Sequence, residues 1–124
     1  MIWVFFGGGI GATLRYIVVN ILTKAGIVNS APAFPLPVML INIVGSFAIG
    51  ILAQIVSRET FANFTYSQQF LMVGILGGFT TFSAFSLETL NLLQAGKVGY
   101  AAIYVTSSVV LSILAAYVGY VLAK

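Results

Sequence analysis

Side chains able to do chemistry are few in this sequence, and those present suit ions better than covalent reactions. Asn42 stands early in an apolar stretch, within Asn42-x-x-Gly45-Ser46-x-x-x-Gly50. Its amide offers N–H donors that suit an anion, and in lipid it must find partners on other helices or in a permeant species. Tyr104, Ser108 and Ser112 recur at i, i+4 and i+8, one hydroxyl stripe along a helix. Such hydroxyls can point hydrogens at an anion or oxygens at a cation, or simply bond the carbonyl four residues back. Phe82 and Phe85, at i and i+3, share a helix face. Two positive ring edges converging on a pore could solvate a small hard anion; a Phe pair in a membrane helix can equally be plain packing.

A second group concerns charge and backbone. Arg15 and Glu88 are the charges inside apolar stretches. Each lies about seven residues, or ~10 Å, from the same end of its helix. They either pair or snorkel structurally, or they line a water-filled vestibule. Gly77-Gly78-Phe79-Thr80-Thr81-Phe82-Ser83 interrupts a stretch from Ser67 to Leu93 that is longer than one crossing needs. This run predicts a broken helix, whose freed carbonyls can coordinate a cation while half-helix N-termini face anions. Simple helical packing through Gly77 and Gly78 is the alternative.

The elements that must position these residues follow from composition. Of 124 residues, 60% are hydrophobic and 6% charged, where a soluble domain carries roughly 25% charged residues. The chain reads as an all-α membrane protein, a single four-helix transmembrane domain over 1–124. The expected spans are Ile2 to Leu22, Leu36 to Val56, Ser67 to Leu93 and Tyr100 to Ala123, each near the length a bilayer requires. Pro32, Pro35 and Pro37 stop the helix in the first loop, Arg58, Glu59, Asn63 and Thr65 mark the second, and Gln94 to Gly99 the third. The chain contains no His, Cys or Asp, and its carboxylates are Glu59 and Glu88. That excludes thiolate, zinc and histidine acid–base chemistry, so no enzymatic activity is expected. A net charge of +3, scattered over Arg15, Lys24, Arg58, Lys97 and Lys124, does not suggest nucleic acid.

Two decoys fall away. Gly7-x-Gly9-x-x-Ala12 fits a dinucleotide fingerprint superficially, but the acid expected about 20 residues later is missing. Gly7 and Gly11 read better as small residues for close helix packing. A signal peptide cleaved near Ala31-Pro32-Ala33 lacks a basic region before Trp3, and Arg15 interrupts its apolar core. Counting basic residues by side puts Arg58 and Lys124 on the terminal side and Lys24 and Lys97 on the other. This even split implies insertion in both orientations and an antiparallel homodimer; the alternative is that a charge near a span end, such as Arg15, sets one orientation.

Taken together, Gly8-x-x-Gly11-Ala12-x-x-Arg15-Tyr16, Asn42-x-x-Gly45-Ser46-x-x-x-Gly50 and Gly74-x-x-Gly77-Gly78-Phe79-Thr80-Thr81-Phe82-Ser83-x-Phe85-Ser86-x-Glu88 resemble the Fluc (CrcB-type) fluoride channel family over nearly the whole chain. The resemblance implies an antiparallel dual-topology dimer in the cell's inner (plasma) membrane, with two pores that export fluoride passively. It implies that Asn42 lies along the pore, that Phe82 and Phe85 line it, and that Tyr104, Ser108 and Ser112 form its polar track. It further implies a structural sodium ion on the dimer axis, held by the backbone carbonyls of Gly77 and Thr80 from both subunits. Arg15 and Glu88 take vestibule or structural positions. The competing reading is a small dual-topology multidrug exporter driven by protons, which needs a carboxylate in the first span, where this sequence has only Arg15.

Overall fold

A computed structural model describes residues 1–26, 34–58 and 65–124; the expectations for Ala31 to Ala33, Glu59 and Asn63 lie outside the described residues. Four helices are long and apolar enough to cross a membrane: α1 (Ile2–Lys24), α2 (Leu36–Ser57), α3 (Thr65–Gln94) and α4 (Val98–Leu122). The described residues contain no strand. Helix ends follow local chemistry. Pro37 lies in the first turn of α2, where a missing N–H costs nothing. Gly96, at φ 75°, closes α3 with Gly96 N–H bonded to the Leu93 carbonyl and Lys97 N–H to the Leu92 carbonyl. That is a Schellman turn, in which only a residue tolerant of positive φ fits, and α4 starts at once behind it.

α2 and α4 pack extensively against each other, and α1 packs on the first half of α3. Both seams depend on small residues. A methyl added at Gly7 or Gly11 would overlap the backbone of Phe70 or Ile75 on α3, and one at Gly50 or Gly119 would overlap Ala116 or Phe47 across the α2–α4 seam. Without a hydrophobic drive between helices in lipid, such close approach supplies the attraction through dispersion. Gly7 and Gly11 are therefore packing residues, as the sequence suggests.

α3 is not one helix. Residues 65–79 form its first half, α3a, and Phe82–Gln94 its second, α3b. The interruption is confined to Thr80 (φ −83°, ψ 154°) and Thr81 (φ −155°, ψ 123°), both extended. Gly77 and Gly78 inside the expected window remain helical. Sequence reading does not anticipate that Gln69–Leu76 winds as a π-helix. Within it Gly74 meets Gly7, and beyond it Gly78 meets the Gly8 carbonyl, so glycines on both helices form the α1–α3a seam.

One end of the bundle gathers the N-terminus, Arg58 and the C-terminal end of α4. Arg58 donates from Nη2 to the Ala123 carbonyl at 2.5 Å and to the Lys124 carbonyl. A cation there complements the negative end of α4. Trp3, Tyr66 and Phe70 cluster at the same end, with ring centroids 6.3 Å apart for each Trp3 pair, as amphipathic rings do at a membrane interface.

Candidate functional site

The helix break is built by side chains that take over the backbone bonds it forfeits. Thr80 N–H and Thr80 Oγ1 both donate to the Leu76 carbonyl, at 2.9 and 2.8 Å, and finish α3a. Thr81 Oγ1 accepts from Ala84 N–H at 3.3 Å, capping α3b. Asn42, reaching across from α2, accepts from Thr81 N–H at 3.0 Å through Oδ1 and donates through Nδ2 to the Thr81 carbonyl at 3.3 Å. One turn along α2, Gly45 leaves room for the Thr80 methyl, which occupies the place a side chain would need. The Asn42-x-x-Gly45 spacing thus presents an amide and a recess to consecutive residues of the break.

Beside the break lies a cavity of about 420 Å³, lined among others by Asn42, Phe82, Phe85, Ser108 and Ser112. Five of the sequence-predicted residues therefore meet there, together with Gly77 and Thr80. Tyr104 stands one turn from Ser108 on the same face of α4 and is completely buried. Tyr104 Oη and Ser108 Oγ are both buried without a protein hydrogen-bond partner. A buried hydroxyl left unpaired costs about 1–3 kcal/mol, so both groups keep an unused hydrogen-bonding capacity.

The aromatic rings are continuous. Phe82 lies 5.3 Å from Phe85, Phe85 lies 5.3 Å from Tyr104, and Phe34 makes T-shaped contacts with Tyr104 at 5.7 Å and with Tyr100 at 6.3 Å. Lys97 Nζ sits 5.3 Å from the Tyr100 ring centre at the far end. Phe82, 79% exposed, presents its ring on the open side of the break. Sequence reading misses Phe34 and Tyr100, because a Phe among loop prolines and a Tyr at a helix start carry no periodic signal. It also misses the bonding of Asn42 to Thr81. Part of that signal was available: a hydroxyl residue directly before an apolar helical run marks an N-cap.

Arg15 and Glu88 are not brought together. α1, which carries Arg15, packs on α3a, whereas α3b, which carries Glu88, turns away to pack on α4. The described residues show no ion pair at either side chain. Gly77 and Thr80 fare differently. In an unbroken helix their carbonyls would accept from Thr81 N–H and Ala84 N–H, but those donors go to Asn42 and to Thr81 Oγ1. A side chain at Gly77 would meet nothing closer than the Met72 carbonyl at 3.9 Å. Two released carbonyls beside open space are a donor set that fits a small hard cation such as sodium.

Residues 2–120 match the family model described as CrcB-like protein, Camphor Resistance (CrcB). The chain is 43% identical over 119 residues to the fluoride-specific ion channel FluC of Agrobacterium fabrum, covering 95% of this chain and 90% of that one. It is 40% identical over 121 residues to the protein of the same name from Methylobacillus flagellatus, covering 98% and 91%. A third relative of that name, from Magnetococcus marinus, is 41% identical over 122 residues, covering 98% and 95%. Matched from its second residue to within a few of its last, this four-helix membrane chain belongs to the CrcB-like family.

Proposed function

We propose that this protein is a fluoride-selective channel that lets fluoride leave the cell down its gradient. The observation that carries the reading is the pair of buried hydroxyls without protein partners, Tyr104 Oη and Ser108 Oγ, in line with Ser112 and the rings of Phe82 and Phe85. O–H donors and positive ring edges replace the hydration of a small anion without a fixed charge that would trap it. Relatives bearing the name of fluoride-specific ion channels supply the ion's identity, and they are channels rather than enzymes. A proton-coupled exporter would need a carboxylate in α1, which has Arg15 instead. Expression in a fluoride-sensitive bacterial strain should restore growth in fluoride medium and lower cytoplasmic fluoride; growth restored against cationic drugs but not against fluoride would overturn the reading.

The active form is an antiparallel dual-topology homodimer with two pores. Irregular backbone at membrane depth is tolerated only when protein or a water-lined cavity covers it, and the Thr80–Thr81 break borders an open face where Phe82 is exposed. A second copy in the opposite orientation covers that face, in keeping with the even charge count. Adding two Lys to one loop should force a single orientation and remove activity, and co-expression of oppositely biased variants should restore it. Full activity from a single-orientation population would contradict the dimer.

Sodium is structural here. The carbonyls of Gly77 and Thr80 from both subunits would hold it, and the ion would compensate backbone oxygens that have no helical donor. Ser at Thr80 should be partly tolerated, because the backbone oxygen stays. Activity undiminished after long incubation in lithium or potassium buffer without sodium would argue against the site. Arg15 and Glu88 would take vestibule or structural positions.

A further inference from the structure

We infer that Asn42 acts in conduction as a positioning residue, by holding the break of α3 open, in addition to bordering the pore. The inference deepens the channel reading and rests on it for its functional half. Its structural half stands alone. It rests on an amide side chain bonded at both ends to one backbone residue on another helix. Asn42 does this at Thr81, with Oδ1 on the N–H and Nδ2 on the carbonyl. Asn42 therefore substitutes for a strand neighbour, and the extended φ and ψ of Thr80 and Thr81 are the conformation such pairing requires.

Three consequences follow from the same two bonds. Thr81 N–H is withdrawn from the Gly77 carbonyl, its helical acceptor, so that carbonyl is released by α2 rather than by anything in α3. With Thr81 held extended, its hydroxyl is free to cap α3b through Ala84 N–H, and this sets where α3b begins. Phe82 is the first residue of α3b, so the direction of its ring depends on the amide that holds the residue before it. Gly45 completes the grip by admitting the Thr80 methyl one turn from Asn42. A residue whose polar atoms are engaged in this way acts on the ion chiefly through Phe82 and the released carbonyls.

Carbon-13 shifts of Thr80 and Thr81 in the detergent-solubilised full chain, measured beside fluoride flux in liposomes, test this. In the wild type the Cα and Cβ shifts should be those of extended residues. In Asn42→Leu they should move toward helical values, with fluoride flux falling about tenfold or more, the scale of losing one or two buried hydrogen bonds. Asn42→Asp keeps the acceptor for Thr81 N–H but sets an oxygen against the Thr81 carbonyl, so its shifts should lie between those of the wild type and of Asn42→Leu. Should Asn42→Leu fail to elute like the wild type, Asn42→Ala serves the same comparison. Lost flux with unmoved Thr80 and Thr81 shifts would place Asn42 on the ion itself and overturn the proposal. Altered shifts with full flux would overturn it too. If the wild type carries no fluoride, the channel reading fails, while the shifts still decide whether Asn42 holds the break.

Discussion

Ser107 and Ser108 are neighbours on α4, and their hydroxyls end differently. Ser107 donates to the Ile103 carbonyl at 2.5 Å, whereas Ser108, 4% exposed, has no protein partner. Thr13, Thr23, Ser86 and Thr89 behave like Ser107, each bonding the carbonyl four residues back. In lipid that is the cheap solution, because the acceptor is always present and no other element has to cooperate. Ser108 departs from it on the face that looks into the cavity; Tyr104, whose phenol cannot reach a carbonyl of its own helix, is unpaired one turn away. A hydroxyl stripe by itself therefore says little; the hydroxyls that refuse the local bond are the informative ones.

The largest change should come from the rings that border that face. Phe82→Ile and Phe85→Ile keep apolar bulk but remove the positive edges, and each should lower fluoride flux by about two orders of magnitude in protein that still elutes normally. Phe79→Ile, on α3a against Gly45, should be much milder. Equal losses at all three would reduce the aromatic contribution to packing.

Next in size, Ser108→Ala should cost about tenfold in flux, as expected for one lost ion-facing donor. Ser107→Ala removes bonds to its own helix and a weak contact with the Met39 sulfur, and should stay within about twofold. Equal effects at the two serines would erase the distinction between the faces of α4. On the dry α1–α3a seam the readout changes. Gly7→Ala or Gly11→Ala should destabilise the fold by about 1–3 kcal/mol through overlap with α3a backbone, seen as lower thermal stability, while the surviving protein keeps its selectivity. Smallest of all, Arg58→Gln removes a cation at the exposed end of α4 and should lower the melting temperature by about a degree or two with flux unchanged.

Much of the fold was legible because lipid makes composition decisive. Helix ends at Lys24, Ser57, Gln94 and Leu122 fall within two or three residues of those expected from prolines, glycines and polar loops, since each end has a local cause. The break was legible from Gly77 to Ser83, yet its confinement to Thr80 and Thr81 was not, because that depends on Asn42, 39 residues away in sequence. The π-winding of Gln69–Leu76 was illegible for another reason. Almost every residue of QFLMVGIL is apolar, so no polar face records the helical period. The cavity residues were identifiable individually by type, but whether Ser108 bonds its own helix or faces a cavity is a rotamer choice that spacing does not encode.

The central claim is met most directly by proteoliposomes holding purified protein and loaded with both potassium fluoride and potassium chloride, with an electrode for each anion and valinomycin to release the potassium counter-charge. The wild type should discharge fluoride within the first phase while chloride stays inside, with no need for a proton gradient. Fluoride retained, or fluoride and chloride escaping together, would contradict a fluoride-selective pore in this protein.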